Sequence, residues 1–362
     1  MISNTPQKLA ILGANGQIAT EVALYLSGHS DVQLLGFTRS GYGTILLDLA
    51  GIPSFVIDFA NISAENQSLL SDVDAVVDCT YPAGQQQKLA GLIESNADAV
   101  MKCMKPGATY IHSSSISAFG MPIDSTQLRD YRFARTSYAR TKRTAEKCVS
   151  RLAKQHGIRA CHLRLGQVHG VLQSVTGQFK TLIDQGKIVS TGDAGAISTT
   201  VFCHAVAEAF LSAARGDFKH GSITTVVSQD QWNLQTLFDV YRDITGSSFS
   251  VSYVGGPDQP SDDGMVSRLI RLGTPFRNVL ESQVLPLIPG VVPKLKGQYR
   301  MQSAKRDRAS AVQTPEDAPV FHLVGNVPGQ VTGQIKSSPD ETISAFRSIE
   351  TLLAQTLNAA SV

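Results

Sequence analysis

The sequence predicts an α/β protein, a doubly wound parallel sheet with a smaller C-terminal lobe. Three observations predict it. Short continuous apolar runs recur through the first half, the form taken by strands buried on both faces. Stretches of crossover-helix length separate them. A glycine-rich turn joins the first run to the first helix-like stretch.

The runs are Leu9–Leu12, Val32–Phe37, Phe55–Ile57, Ala75–Val77, Thr109–Ile111 and Ala160–Leu163. Gly84–Lys105 and Ser137–Gln155 have the length of crossover helices. Proline then marks a boundary. None lies between Ile123 and Gly256, and Pro257 and Pro260 arrive among Gly255, Gly256, Asp258, Asp262, Asp263 and Gly264, which reads as a loop. From Gly264 to Arg308, nine Lys or Arg residues stand against only Glu281 and Asp307, interleaved with apolar residues. This reads as a helical insertion or lobe. A second loop, Thr314–Pro319, precedes an apolar stretch at Val320–Val324, and Asp340–Leu357 predicts a terminal amphipathic helix. The predicted sheet domain is therefore 1–180 with returning segments from about 197–230. The predicted lobe is 181–196 with about 231–362, including the basic–apolar insertion 264–308.

A chain of 362 residues suggests two domains, or one large domain with a lobe. Its 42% hydrophobic content excludes disorder as the overall state. The 32 Lys and Arg nearly balance 30 Asp and Glu, which argues against a nucleic-acid partner. Cys79, Cys103, Cys148, Cys161 and Cys203 are odd in number and form no C-x-x-C pair, so neither a disulfide framework nor a zinc knuckle is expected. A reducing, intracellular setting fits. Met1–Lys8 is polar and does not read as an export signal. The longest apolar candidate for a membrane span, Val284–Pro293, is short and carries three prolines. The expectation is a soluble, cytoplasmic protein. For 264–308 three readings stay open: contact with an anionic substrate, contact with an acidic membrane surface, or solvated charges on a lobe that covers a cleft.

Gly13-Ala14-Asn15-Gly16-Gln17-Ile18-Ala19 follows the first strand directly and opens a helix. Gly13 permits the tight turn, Gly16 lets backbone approach a pyrophosphate, and Ala19 allows close helix–strand packing. The helix N-terminus offers free N–H groups to phosphates, which makes Gly13, Asn15, Gly16, Gln17 and Ile18 candidate dinucleotide contacts. The alternative is an ordinary strand–helix turn. The second strand ends in Phe37-Thr38-Arg39-Ser40. It lacks the carboxylate that usually binds the ribose hydroxyls of NAD, and Arg39 can form paired bonds to a 2′-phosphate. Thr38, Arg39 and Ser40 therefore read as NADP contacts, with NAD the alternative. Asp58, after the third strand, can accept from an adenine amino group or cap the following turn.

Tyr138 and Lys142 lie four apart in a helical stretch, on one face. An ammonium near a phenol favours the phenolate, which would make Tyr138 a general acid or base near neutral pH. Lys142 could also hold the nicotinamide ribose. Such pairs are common on solvated helices, so the order of features matters. His112-Ser113-Ser114-Ser115 follows a strand, 23 residues before Tyr138. A serine there can direct a substrate oxygen toward the phenol.

In this order, the features resemble the extended short-chain dehydrogenase/reductases, the group of nucleotide-sugar epimerases and related reductases. The pieces are Gly13-x-x-Gly16-x-x-Ala19, Asp58, Val76-Val77-Asp78-Cys79-Thr80, Ser113-Ser114-Ser115-x-x-x-Phe119-Gly120, Tyr138-x-x-x-Lys142 and Leu163-Arg164-Leu165-Gly166-Gln167-Val168-His169-Gly170. Weaker matches continue through Thr200–Ala207 and Gln231–Leu234. The resemblance implies a Rossmann-type fold and Ser115, Tyr138 and Lys142 as the catalytic set. It implies cofactor contacts near Gly13, Gly16, Arg39, Asp58, Thr80 and Val168, and a homodimer through paired helices. Three departures stand out. Gln167-Val168-His169-Gly170-Val171 replaces the Asn-Val-Tyr-Gly-Pro of nucleotide-sugar members. Ser115 is followed by Ile116 and Ser117 rather than the Asp-Glu pair of dehydratases. His204 stands where aspartate is common. Trp232 reads as core. The histidines show no metal-ligand spacing, and no metal is expected.

The expected function is an NADP-preferring oxidoreductase that interconverts a ketone and a secondary alcohol on a small substrate, anionic or nucleotide-sugar-like. The alternative is a nucleotide-sugar epimerase with tightly bound NAD. A non-catalytic NADP sensor is the contrasting class.

Overall fold

The computed structural model describes residues 6–82, 86–119, 137–191, 194–228, 232–254, 320–321 and 337–359. The expected loops at 257–264 and 314–319 and the basic insertion 264–308 lie outside them. In chain order the elements begin β1 (Gln7–Leu12), α1 (Gln17–Leu26), β2 (Val32–Thr38), α2 (Ile45–Leu49), β3 (Ser54–Val56), α3 (Ala64–Asp72), β4 (Ala75–Asp78) and α4 (Gln86–Cys103). There follow β5 (Thr109–Ser115), a 3₁₀ turn (Ile116–Phe119), α5 (Ser137–His156), β6 (Arg159–Leu165), β7 (Gln167–His169), α6 (Ser174–Asp184) and β8 (Lys187–Thr191). The chain continues with β9 (Thr200–Phe202), α7 (Cys203–Arg215), β10 (Ile223–Val226), α8 (Leu234–Thr245), β11 (Ser250–Val254), β12 (Val320–Phe321) and α9 (Pro339–Ala359).

Seven strands form a parallel sheet in the order β10-β6-β5-β4-β1-β2-β3. The order reverses between β1 and β4, so the carboxyl ends of these two strands flank a crevice, the usual ligand position in such sheets. The apolar runs are continuous because both faces are covered. Leu9 and Ile11 of β1 join one core with α1 and α7, while Ala10 and Leu12 join the other with residues of α4 and α5. Alternation along the strand sends successive side chains into opposite layers.

The serine run does not follow a strand, as expected from sequence; it is the strand's own end, since β5 runs to Ser115. Its pairing with β6 continues to Ser115 opposite Leu165. Polar side chains persist there because the carboxyl end of the sheet meets the crevice. Gly166 separates β6 from β7. A Cβ at 166 would stand 2.1 Å from the Thr199 carbonyl oxygen, so only glycine lets the chain pass. β7 then pairs with β9 rather than continuing the main sheet.

The chain divides into two units, Met1–Gln185 with Ala194–Ser248 and Leu323–Val362, and Gly186–Asp193 with Phe249–His322. These boundaries differ from those read in the sequence, because the terminal helices belong to the larger unit. α8 buries Leu234, Leu237, Phe238, Val240 and Tyr241, and α9 sets Ile349 and Leu353 against Leu24 of α1. Trp232 is buried beside Phe202, as core. The second unit, by itself, has a parallel sheet in the order β11-β8-β12.

Candidate active site

The turn after β1 is held to the end of β2: the backbone N–H groups of Gly13 and Ala14 both donate to the Phe37 carbonyl, at 2.8 and 3.1 Å. Gly13 adopts φ +73°, a left-handed conformation that side chains disfavour. Gly16 forms the N-cap of α1 without any side-chain bond, and the helix has no acid in its first turn. Its first N–H groups are therefore open to an anion. Asn15 donates to the Tyr42 carbonyl at 3.0 Å and ties the loop after β2 to the turn.

β2 ends at Thr38, and Arg39 and Ser40 begin that loop. Thr38 is buried and its hydroxyl donates to the Ser40 carbonyl at 2.8 Å, which leaves Arg39 exposed at the strand's tip. Asp58 caps its own turn, accepting from Ala60 N–H at 3.0 Å. Thr80 turns inward: its N–H and hydroxyl both donate to Asp78, at 2.9 and 2.6 Å. Tyr110 donates to the other Asp78 oxygen at 2.7 Å. Burial would raise the Asp78 carboxyl, but neighbouring His112 with the Thr80 and Tyr110 bonds outweighs it and holds it down to about 2.

α5 presents Tyr138, Lys142 and Glu146 in one stripe, and each reaches a different serine of β5. Tyr138 lines the same cavity as Ser115, whose hydroxyl acts to lower its phenol. Lys142, buried, donates to the Ser113 carbonyl at 2.7 Å. Glu146 accepts from the Ser114 hydroxyl at 2.6 Å and takes a fork from Arg164, 2.9 Å on each arm. Arg143 adds bonds to the carbonyls of Ala118 and Phe119, which pins the 3₁₀ turn behind Ser115.

The electrostatics correct one expectation. Desolvation raises the Tyr138 phenol above its ordinary value, and the nearby Ser115 hydroxyl offsets this only in part. Lys142 does not depress it, because its ammonium is directed at the Ser113 carbonyl and stands 5.8 Å from the Tyr138 ring centre. Burial in turn lowers Lys142, against the opposing pull of Asp78, Cys79 and Glu146.

A cavity of about 350 Å³ joins these parts. Gly16, Gln17, Ile18, Ser115, Tyr138, Lys142 and Val168 of the predicted set line it. Gly13, Asn15, Thr38, Arg39, Ser40, Asp58 and Thr80 are not among its lining residues. Sequence reasoning missed Tyr81, Leu165, Gly166 and Gln173 as lining residues. Tyr81 stands 5.5 Å from the Tyr138 ring and 5.7 Å from the Lys142 ammonium. Glu146 had a signal, the repeat of four after Lys142; Gln173 had none. A larger groove, about 640 Å³ along α9, gathers no comparable acid–base set. Among the described residues, no His, Cys, Asp and Glu cluster is placed to hold a metal ion, and no helix is long and apolar enough to cross a membrane.

The residues fit a nicotinamide dinucleotide. A Cβ at Gly13 would meet the Cys79 carbonyl and the Thr80 methyl at 3.4 Å, so backbone lies close beneath the uncapped helix end. From there the cavity leads to Ser115, Tyr138 and Lys142. Gly16, Gln17 and Ile18 would hold phosphates, and Val168 and Lys142 the nicotinamide half.

The model of the NAD dependent epimerase/dehydratase family matches residues 9–223. No curated protein matches the chain. Among solved structures it is similar to the UDP-glucuronic acid 4-epimerase of Bacillus cereus in complex with NAD, at 18% identity and TM-score 0.54, over 69% of this chain and 87% of that one. It is similar to the UDP-N-acetylglucosamine 4-epimerase of Methanobrevibacter ruminantium M1 in complex with UDP-N-acetylmuramic acid, at 18% and 0.52, over 70% and 87%. A third is the UDP-glucose 4-epimerase of Thermotoga maritima with UDP-glucose, at 14% and 0.51, over 70% and 87%. At such identities the likeness is one of fold.

Proposed function

The chain belongs to the NAD dependent epimerase/dehydratase family, and on that premise we propose that it epimerises a nucleotide-sugar through a ketone, with Tyr138 as general acid–base. The observation that carries the reading is the meeting of Ser115, Tyr138 and Lys142 with the glycine turn in one cavity. The similarity in fold to three UDP-sugar 4-epimerases supports it over the net reductase expected from sequence.

Tyr138 exchanges a proton with the alcohol oxygen of the substrate. Ser115 lines the cavity beside the phenol and directs the same oxygen toward it. Burial keeps the phenol protonated near neutral pH, the form needed to give a proton back to the ketone oxygen. Lys142 is anchored on the Ser113 carbonyl, 5.8 Å from the ring centre, where it can hold the nicotinamide ribose beside the phenol. When bound, the nicotinamide supplies hydride transfer, taking a hydride from the alcohol carbon and returning it, in epimerisation, to the opposite face.

Arg39 favours a second reading. Exposed at the end of β2 with no carboxylate beside it, it suits the 2′-phosphate of NADP and hence net ketone reduction. The two readings share Tyr138 and differ in the fate of the cofactor. Retention of the tyrosine–lysine pair speaks against a mere sensor.

The test incubates purified protein with UDP-glucose, UDP-glucuronic acid and UDP-N-acetylglucosamine and follows the C4 configuration by NMR. Epimer formation without net cofactor consumption is expected. Tyr138→Phe should lose about 10²–10⁴-fold in turnover while still binding dinucleotide. NADPH consumption against a ketone panel, with no epimer, would establish the reductase instead. Full turnover by Tyr138→Phe would defeat both.

A further inference from the structure

Gln173 is 6% exposed, yet it lines the cavity beside Gly16, Ile18 and Val168. Its amide nitrogen donates to Glu21 at 2.9 Å. Glu21 lies on α1, the helix whose N-terminus faces the cavity, and is itself 3% exposed. Two further N–H groups converge on its carboxylate, from Val171 at 2.7 Å and Leu172 at 2.9 Å. Gly170 makes room for the arrangement, since a Cβ there would stand 2.2 Å from Glu21 Oε1.

Burial raises the Glu21 carboxyl and the bonds from Gln173, Leu172 and Val171 oppose it; in its ionised form it is acceptor-only. The Gln173 amide must turn its nitrogen to it and its oxygen away, so the orientation follows from chemistry rather than from choice. That oxygen makes no hydrogen bond to any described residue. It is not among the buried side-chain atoms shut off from solvent, so it opens into the cavity that Gln173 lines and offers an acceptor to a neutral donor there. An anion is disfavoured: phosphate or carboxylate oxygens would face a carbonyl with a carboxylate behind it. Neutral donors come from two sources, the carboxamide of the nicotinamide or a substrate hydroxyl. The first stands closer to the observations, because Gln173 lies with the glycine turn and Val168.

We infer that the Gln173 side-chain oxygen binds the carboxamide N–H of the dinucleotide, and that Glu21 is the positioning residue that aims it. The inference rests on the reading that this chain binds a nicotinamide dinucleotide. Calorimetric titration of the full chain tests it, using NAD and NADP and the 3-acetylpyridine analogue of each, in which a methyl replaces the NH₂. The wild-type chain should prefer the carboxamide by about tenfold, the worth of one neutral hydrogen bond. Gln173→Met should bind both forms equally, at the affinity of the analogue. Glu21→Gln, which frees the amide to flip, should narrow the preference while leaving analogue affinity unchanged; an altered packing alone would weaken both ligands alike. A preference that survives in both variants, or is absent from the wild-type chain, overturns the inference. So does a loss confined to UDP-glucose affinity, which would assign the donor to the substrate. If no dinucleotide binds at all, the cofactor reading itself has failed.

Discussion

Removing Glu146 would strip a buried cation of its partner. The Glu146 and Arg164 side chains are 5% and 6% exposed, and both guanidinium arms lie 2.9 Å from the carboxylate. Ser114 donates to the same carboxylate, and Arg164 covers the Phe119 ring at 4.4 Å. Breaking one side of such a pair costs about 3–5 kcal/mol, because the remaining charge stays buried. Glu146→Ala should lose that much in equilibrium urea unfolding at pH 7. With a slope of about 3 kcal/mol per molar urea, the midpoint falls by roughly 1–1.7 M. The double variant Glu146→Leu with Arg164→Met removes both charges and should recover most of the loss. With the single variants Glu146→Leu and Arg164→Met completing the cycle, a coupling energy below about 0.5 kcal/mol would refute the argument. The pH dependence has a definite sign. Burial acts to raise Glu146, but the Arg164 bond and charge prevail and hold it below its ordinary 4.5. The pair's contribution is therefore complete above pH 4.5 and is lost as pH falls through the folded value. The gap between wild type and Glu146→Ala should close over that acidic range.

Other outcomes follow from the same geometry. Gly166→Ala forces a Cβ to within 2.1 Å of backbone that cannot swing aside, and should lower stability by about 3 kcal/mol or more; an unchanged denaturation midpoint would contradict the crossing. Burial holds His162 and His169 down to about 3, so the unfolded chain takes up protons that the folded one does not. Stability should then rise with pH between those limits, each histidine costing about 2 kcal/mol at pH 5 relative to pH above 6.5. Equal urea midpoints at pH 7.5 and 5 would count against this. Arg39→Ala should weaken NADPH about 10–100-fold by losing charge-assisted bonds, with NADH affected less than about twofold. Equal loss of both cofactors would remove the 2′-phosphate assignment.

Local pattern alone determined the parallel sheet and half of the candidate site. The apolar runs announced β1 to β6 because a strand covered on both faces has no polar side to interrupt it. The glycine turn was legible because a tight bend beneath a helix end tolerates few other residues. Tyr138 and Lys142 were legible because helical spacing puts positions four apart on one face, and Glu146 continued that spacing unnoticed. Tertiary structure decided what depends on partners remote in sequence. Glu21 and Gln173 meet across 152 positions, and no local spacing encodes that contact. The phenol's direction of shift was likewise hidden. It follows from desolvation of the phenol, although Tyr138 is 39% exposed, and from where the Lys142 ammonium points, and packing sets both. Periodicity travels along a chain, whereas desolvation and hydrogen-bond geometry exist only once distant segments have been brought together.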